Sequence, residues 1–203
     1  GDWAEGNDQH VWTSRKLSRA DQAASKVQYE AAKRKADEEK KIRQKEAADK
    51  AERRLATAPD KGLTPYCRRK NIDQLYGCRV HEFDTLLVPV RDVTGKIWGL
   101  QSIFEDGAKR FSMGTKVDGH LHLIGEIQDE VFLCEGFATG VTLHRATGKP
   151  VACAFNAGNL LPVAKALRVA YPDIKIVVCA DDDRHLETNV GVEKAEKAAM
   201  IAH

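Results

Sequence analysis

The chain has 203 residues, 42% of them hydrophobic, which is enough for one sizeable core plus an accessory segment and excludes a disordered chain. Lysine and arginine number 32 against 30 aspartates and glutamates, a formal net charge of +2, so composition alone does not mark a nucleic-acid binder. Five scattered cysteines, Cys67, Cys78, Cys134, Cys153 and Cys179, exclude a disulfide framework and point to a reducing, cytoplasmic compartment, and no apolar run approaches the roughly 18 residues that span a bilayer.

The start, Gly1-Asp2-Trp3, has neither an initiator Met nor the charged and apolar regions of a signal peptide. With the end at Met200-Ile201-Ala202-His203 inside a helical pattern, the expectation is a fragment of a longer parent. Trp3 and Trp12 flank a segment compatible with a small hairpin. From about Leu17 to Ala58 the chain is rich in Ala, Lys, Arg, Glu and Gln without Gly or Pro, which predicts a long solvated helix. Residues 33 to 54 carry ten basic and six acidic side chains, the pattern of a charge-laced exposed helix or of a basic arm. Residues 1–60 are read as this N-terminal segment.

Pro59 and Gly62 end the helix, and a strand-like pattern follows. Leu86 to Val90, a turn at Asp92-Val93-Thr94-Gly95, and Ile97 to Phe104 predict an antiparallel hairpin. Shorter strands are expected at Arg110–Met113 and His120–Ile124, so residues 61–129 read as a small mixed α+β subdomain. From Glu130 short, largely apolar runs at 131–134, 151–155 and 174–180, the last holding Lys175, alternate with helical stretches at about 137–147, 159–170 and from 190 onward. Continuous apolar strands separated by helices predict a doubly wound parallel sheet over residues 130–203.

In such a sheet ligands bind beyond the carboxyl ends of the strands. The first strand is followed by Glu135-Gly136, the second by Asn156-Ala157-Gly158-Asn159 and the third by Asp181-Asp182-Asp183. Carboxylates gathered at one sheet edge repel and raise each other's pKa unless a hard divalent cation, magnesium or manganese, neutralises them. In an extended run Asp181 and Asp183 point to the same side, which suits two ligands on one ion and a substrate that carries phosphates. The competing reading is that these acids cap helix N-termini. His120 and His122 share a strand face without a third zinc ligand, the ten-residue gap between Cys67 and Cys78 lacks the spacing of a zinc knuckle, and His185 reads as a polar loop residue. No GxxxxGK[ST], GxGxxG, GxSxG or HExxH pattern is present.

Leu133-Cys134-Glu135-Gly136 and Ala180-Asp181-Asp182-Asp183 resemble the two motifs of the Toprim domain, shared by bacterial-type primases, topoisomerases and some nucleases. Glu-Gly-Phe-Ala-Thr-Gly at 135–140 and Ala-Phe-Asn-Ala-Gly-Asn-Leu at 154–160 are most similar to primases of plasmids and phages. Upstream, Leu87 to Asp92, Gly95 to Leu100 and Lys109-Arg110-Phe111 resemble the subdomain that precedes Toprim in those primases. The resemblance implies a nucleotidyltransferase core that joins ribonucleotides on single-stranded DNA for plasmid or phage replication. In it Glu135, Asp181 and Asp183 are catalytic and hold magnesium or manganese, while Lys109, Arg110 and Lys116 contact template or nucleoside triphosphate. It also implies a replicative helicase or flanking domains of the parent chain as partners. A Toprim nuclease uses the same acidic cluster, and a non-catalytic nucleic-acid or partner-binding module needs no metal.

Overall fold

The computed structural model describes residues 19–59, 62–180 and 190–202. The Trp3–Trp12 hairpin, the Asp181–Asp183 cluster and His185 lie outside the described residues. Among the described residues no helix is long and apolar enough to cross a membrane.

Helix α1, Arg19–Thr57, occupies the stretch free of Gly and Pro. Its part up to Glu39 belongs to a unit of its own, in which the side chains of residues 25–39 are exposed. The second unit begins at Lys40, and there the solvated-helix expectation fails. Ala47, Ala48, Ala51 and Leu55 are buried, the last two against Leu87, Leu100 and Ile97. Alanines at i, i+1 and i+4 carry little hydrophobic signature, yet they let a helix backbone come close to a sheet. Gly114 (φ +81°) shows how close: a β-carbon there would stand 2.8 Å from the Arg43 carbonyl oxygen and 3.1 Å from the Ala47 β-carbon.

Helix α2, Pro65–Arg69, follows, with Pro65 in its first turn and Thr64 Oγ1 accepting the Cys67 N–H. Four strands, β1 (Arg79–Val80), β2 (Leu86–Arg91), β3 (Ile97–Ile103) and β4 (Lys109–Phe111), form an antiparallel sheet in that order. The β2–β3 turn is organised by Asp92, whose Oδ1 accepts from the Thr94 and Lys96 N–H groups and the Thr94 hydroxyl, with Gly95 at φ +90°.

The second sheet contains β5 (His122–Ile124), β6 (Glu130–Cys134), β7 (Val151–Cys153) and β8 (Lys175–Val178), in the order β5-β7-β6-β8. β6 pairs in parallel with β7 and with β8, and β5 is antiparallel to β7. The expected parallel α/β core is therefore present. The strand expected at 120–124 within the upstream block instead extends this second sheet, with His122 opposite Cys153.

Alternation along each strand sorts the core. Val131 and Leu133 of β6 and Ala152 of β7 face helices α4 (Leu160–Ala170) and α5 (Val190–Ala202), against Leu160, Val163, Leu167 and Ala198. On the opposite face Cys134, Val151 and Cys153 meet Phe137 and Val141 of α3 (Phe137–Thr147) and also Leu86, Val88 and Val90 of β2. One buried cluster thus joins the antiparallel sheet to the parallel one. Arg91 and Leu121 add a two-way backbone bridge between them, with both N–H to O distances 2.8 Å. The described residues from Lys40 onward are consequently one packed body in which the first sheet delivers its edge strand β4 to the second.

Candidate functional site

The register of the parallel strands defines the edge where chemistry is expected. Leu133 pairs with Val178, and the Cys179 N–H donates to the Leu133 carbonyl at 2.8 Å. Glu135 and Ala180 therefore come next on neighbouring strands at the same edge, and Asp181 follows Ala180 directly in the sequence. Glu135 is half-buried between the end of β6 and Gly136, the residue that opens α3 with extended backbone (φ −107°, ψ 153°) and no side-chain cap. The first N–H groups of α3, and the positive end of its dipole, lie immediately after the carboxylate.

The end of β7 is held by an asparagine of the 156–159 segment. Asn159 is buried; its Nδ2 donates to the His120 and Ala154 carbonyls, each at 2.9 Å, and its Oδ1 accepts the Gly119 N–H at 2.8 Å. Asn156 Oδ1 in turn accepts the Asn159 N–H at 3.1 Å. The loop after β7 is thereby tied to residues 119 and 120, and Phe155 at its start is held at φ +72°, a conformation rare for a bulky residue.

The predicted basic residues go to three different places. β4 alternates, so Lys109 and Phe111 point to one side and Arg110 to the other. The Lys109 side is the parallel-sheet side: a β-carbon on Gly136 would meet Lys109 Nζ at 3.6 Å. Arg110 instead lies over the Phe104 ring, 5.8 Å from its centroid. Lys116 stands 4.5 Å from the centroid of Trp98, whose ring also receives Lys96 at 4.4 Å. Of the three, Lys109 alone lines the cleft of about 340 Å³ at Gly136. The other cations of that cleft, Arg69 and Lys70, come from the end of α2. Arg69 is fixed by a hydrogen bond to the Glu105 carbonyl. Their signal in the sequence is the run Arg68-Arg69-Lys70 after a Thr-Pro helix start, and a search confined to residues that follow strands passes over it.

His120 and His122 behave as core residues. His122 is fully buried, its Nε2–H donates to the Tyr76 carbonyl at 2.9 Å, and burial pushes its pKa down to about 4. His120 is also lowered by burial, and its Nδ1–H donates to the Asp118 carbonyl at 2.7 Å. Burial likewise pushes the Cys78 thiol up, so it stays protonated. Among the described residues no group of three His, Cys, Asp or Glu side chains is arranged to hold a metal ion. Of the proposed cation ligands, Glu135 alone lies within them.

Comparison with known proteins bears on this edge and on what precedes it. Residues 130–203 match the model of the Toprim domain family. Two Escherichia coli proteins, both named DNA primase TraC, are 36% identical to the chain, one over 94% of it and the other over 86%. The chain spans 14% and 18% of the lengths of those relatives. Among solved structures, the primase fragment of the bacteriophage T7 primase-helicase protein superposes with a TM-score of 0.49 at 16% identity, covering 68% of this chain and 56% of that one.

Proposed function

We propose that this chain, whose residues 130–203 are a Toprim domain, is the core of a primase that adds ribonucleotides along a single-stranded DNA template. The observation that carries the reading is the approach of Lys109 to Gly136, the residue directly after Glu135. A cation from one sheet faces the acidic strand end of the other, and the sequence similarity to DNA primase TraC runs through both.

In this reading Glu135, Asp181 and Asp183 hold magnesium or manganese. Their donors are carboxylate oxygens throughout, the set that suits a hard cation, and the register leads from Ala180 beside Glu135 straight into Asp181. When bound, the cation supplies charge neutralisation at the phosphates and a lower pKa for the attacking 3′-hydroxyl. Lys109 neutralises a phosphate beside Gly136, with Lys70 and the anchored Arg69 lining the same cleft. The open N-terminus of α3 adds backbone donors there. Glu135 shares the cation or accepts the hydroxyl proton, a role open to a half-buried carboxylate next to a helix N-terminus. Single-stranded DNA and nucleoside triphosphates are the partners.

The test supplies single-stranded DNA, with and without a short annealed RNA, labelled ribonucleotides, and magnesium or manganese. Labelled RNA products that require the cation are expected. Degraded DNA without RNA synthesis would replace the primase by a nuclease, and DNA binding independent of the cation with neither product would make the chain a binding module.

A further inference from the structure

We propose that the exposed ring of Phe111 is the stacking surface for the base of a nucleotide whose phosphate is held by Lys109. The inference rests on the primase reading and deepens it. β4 is an edge strand, and its two-residue repeat puts Lys109 and Phe111 on the side that faces the parallel sheet, with Arg110 turned away onto Phe104. Two residues along a strand span about 7 Å. That is the scale on which a nucleotide separates its base from its own phosphate.

The ring is both held and available. Phe111 is 37% exposed and meets Phe155 edge-to-face, with centroids 5.6 Å apart and an interplanar angle of 79°. Such a contact fixes the ring's orientation and leaves at least one of its faces clear of Phe155. Phe155 is itself buried at φ +72°, in the loop that Asn156 and Asn159 tie down, so the support under Phe111 is rigid. A half-open aromatic on a rigid edge, two residues from a cation at the catalytic turn, combines the two elements by which proteins hold single-stranded nucleic acid: base stacking and phosphate neutralisation. Phe104, by contrast, already carries the Arg110 guanidinium over its ring, 5.8 Å from the centroid.

The experiment compares the wild-type chain with Phe111→Leu and Phe111→Tyr. Binding is measured separately for purine nucleoside triphosphates, for a short single-stranded DNA and for inorganic triphosphate, with the Tm of each variant alongside. Leucine keeps the apolar cover over Phe155 and removes the ring, whereas tyrosine keeps the ring. Phe111→Leu should weaken binding of a base-bearing ligand by about 5- to 150-fold, leave inorganic triphosphate and Tm unchanged, and be rescued by Phe111→Tyr. Loss confined to the triphosphates assigns the ring to the incoming nucleotide, and loss confined to DNA assigns it to the template. Equal binding of every ligand by wild type and Phe111→Leu would overturn the proposal, as would a loss for inorganic triphosphate as large as that for the base-bearing ligands, or a wild type that binds neither nucleotide nor single-stranded DNA. The primase reading fails separately: a wild type that binds nucleotides in this manner but makes no RNA sinks it and leaves the stacking surface standing.

Discussion

His122 carries a charge cost that sets a pH dependence. The unfolded chain takes up a proton on this residue below about pH 6.5, the ordinary histidine value, whereas the folded protein does so only near pH 4. The unfolded state therefore binds more protons between those values, and stability falls as pH drops from about 6.5 to 4, by on the order of 3 kcal/mol from this group. His122→Gln keeps a donor for the Tyr76 carbonyl and removes the titration. Urea midpoints at pH 7 and pH 5 should then differ less in His122→Gln than in wild type. Identical pH dependence in the two proteins would show that the ring does not govern this window. At this scale the sequence was partly legible. Glu135 stands out because it ends a wholly apolar run, but the separate destinations of Lys109, Arg110 and Lys116 follow from strand parity and from which face of the first sheet meets the second. No spacing in the sequence encodes that choice of face. Asn159 was unreadable as a structural tie because its three hydrogen-bond partners lie far from it in the sequence or across a turn.

α3 packs on the parallel strands through Gly140. A β-carbon there would stand 2.3 Å from Cys153 Sγ, 3.3 Å from Ile124 Cδ1 and 3.4 Å from Cys134 Sγ. The glycine lets the helix approach β6 and β7 closely enough that its first turn meets the Glu135 edge. Gly140→Ala should destabilise the protein by about 1–3 kcal/mol through overpacking, a Tm loss of about 2–4 °C for each kcal/mol in a chain of this length. Adding Cys153→Ala removes the nearest clashing atom, so the double variant should lose less than the sum of the two singles. Strict additivity in thermal melts would mean that the helix does not approach as described. The strands of the second sheet were legible, because 131–134 and 151–155 are continuous apolar runs and 174–180 is apolar but for the exposed Lys175, with helical stretches between them. β5 was assigned to the wrong sheet because a three-residue strand carries no pattern that selects its partner. The buried end of α1 escaped notice because alanine packs closely without reading as hydrophobic.

At the scale of the whole molecule, two sheets with unlike grammar share one core and one backbone bridge, so Lys109 on the edge strand of the first reaches Gly136, directly after Glu135, on the second. The charge balance of the whole chain conceals this, since +2 over 203 residues does not say where any one lysine is placed. The central claim is that the acidic strand ends bind the divalent cation on which nucleotidyl transfer depends. Its most direct test is manganese binding, followed by loss of the free-ion paramagnetic resonance signal, in the wild-type chain and in Glu135→Gln, Asp181→Asn and Asp183→Asn. Each variant should bind manganese at least about tenfold more weakly than wild type while its Tm stays unchanged, since relief of carboxylate repulsion offsets any lost contact. Undiminished manganese binding in all three variants, or a loss of Tm that accompanies each loss of binding, would contradict the account.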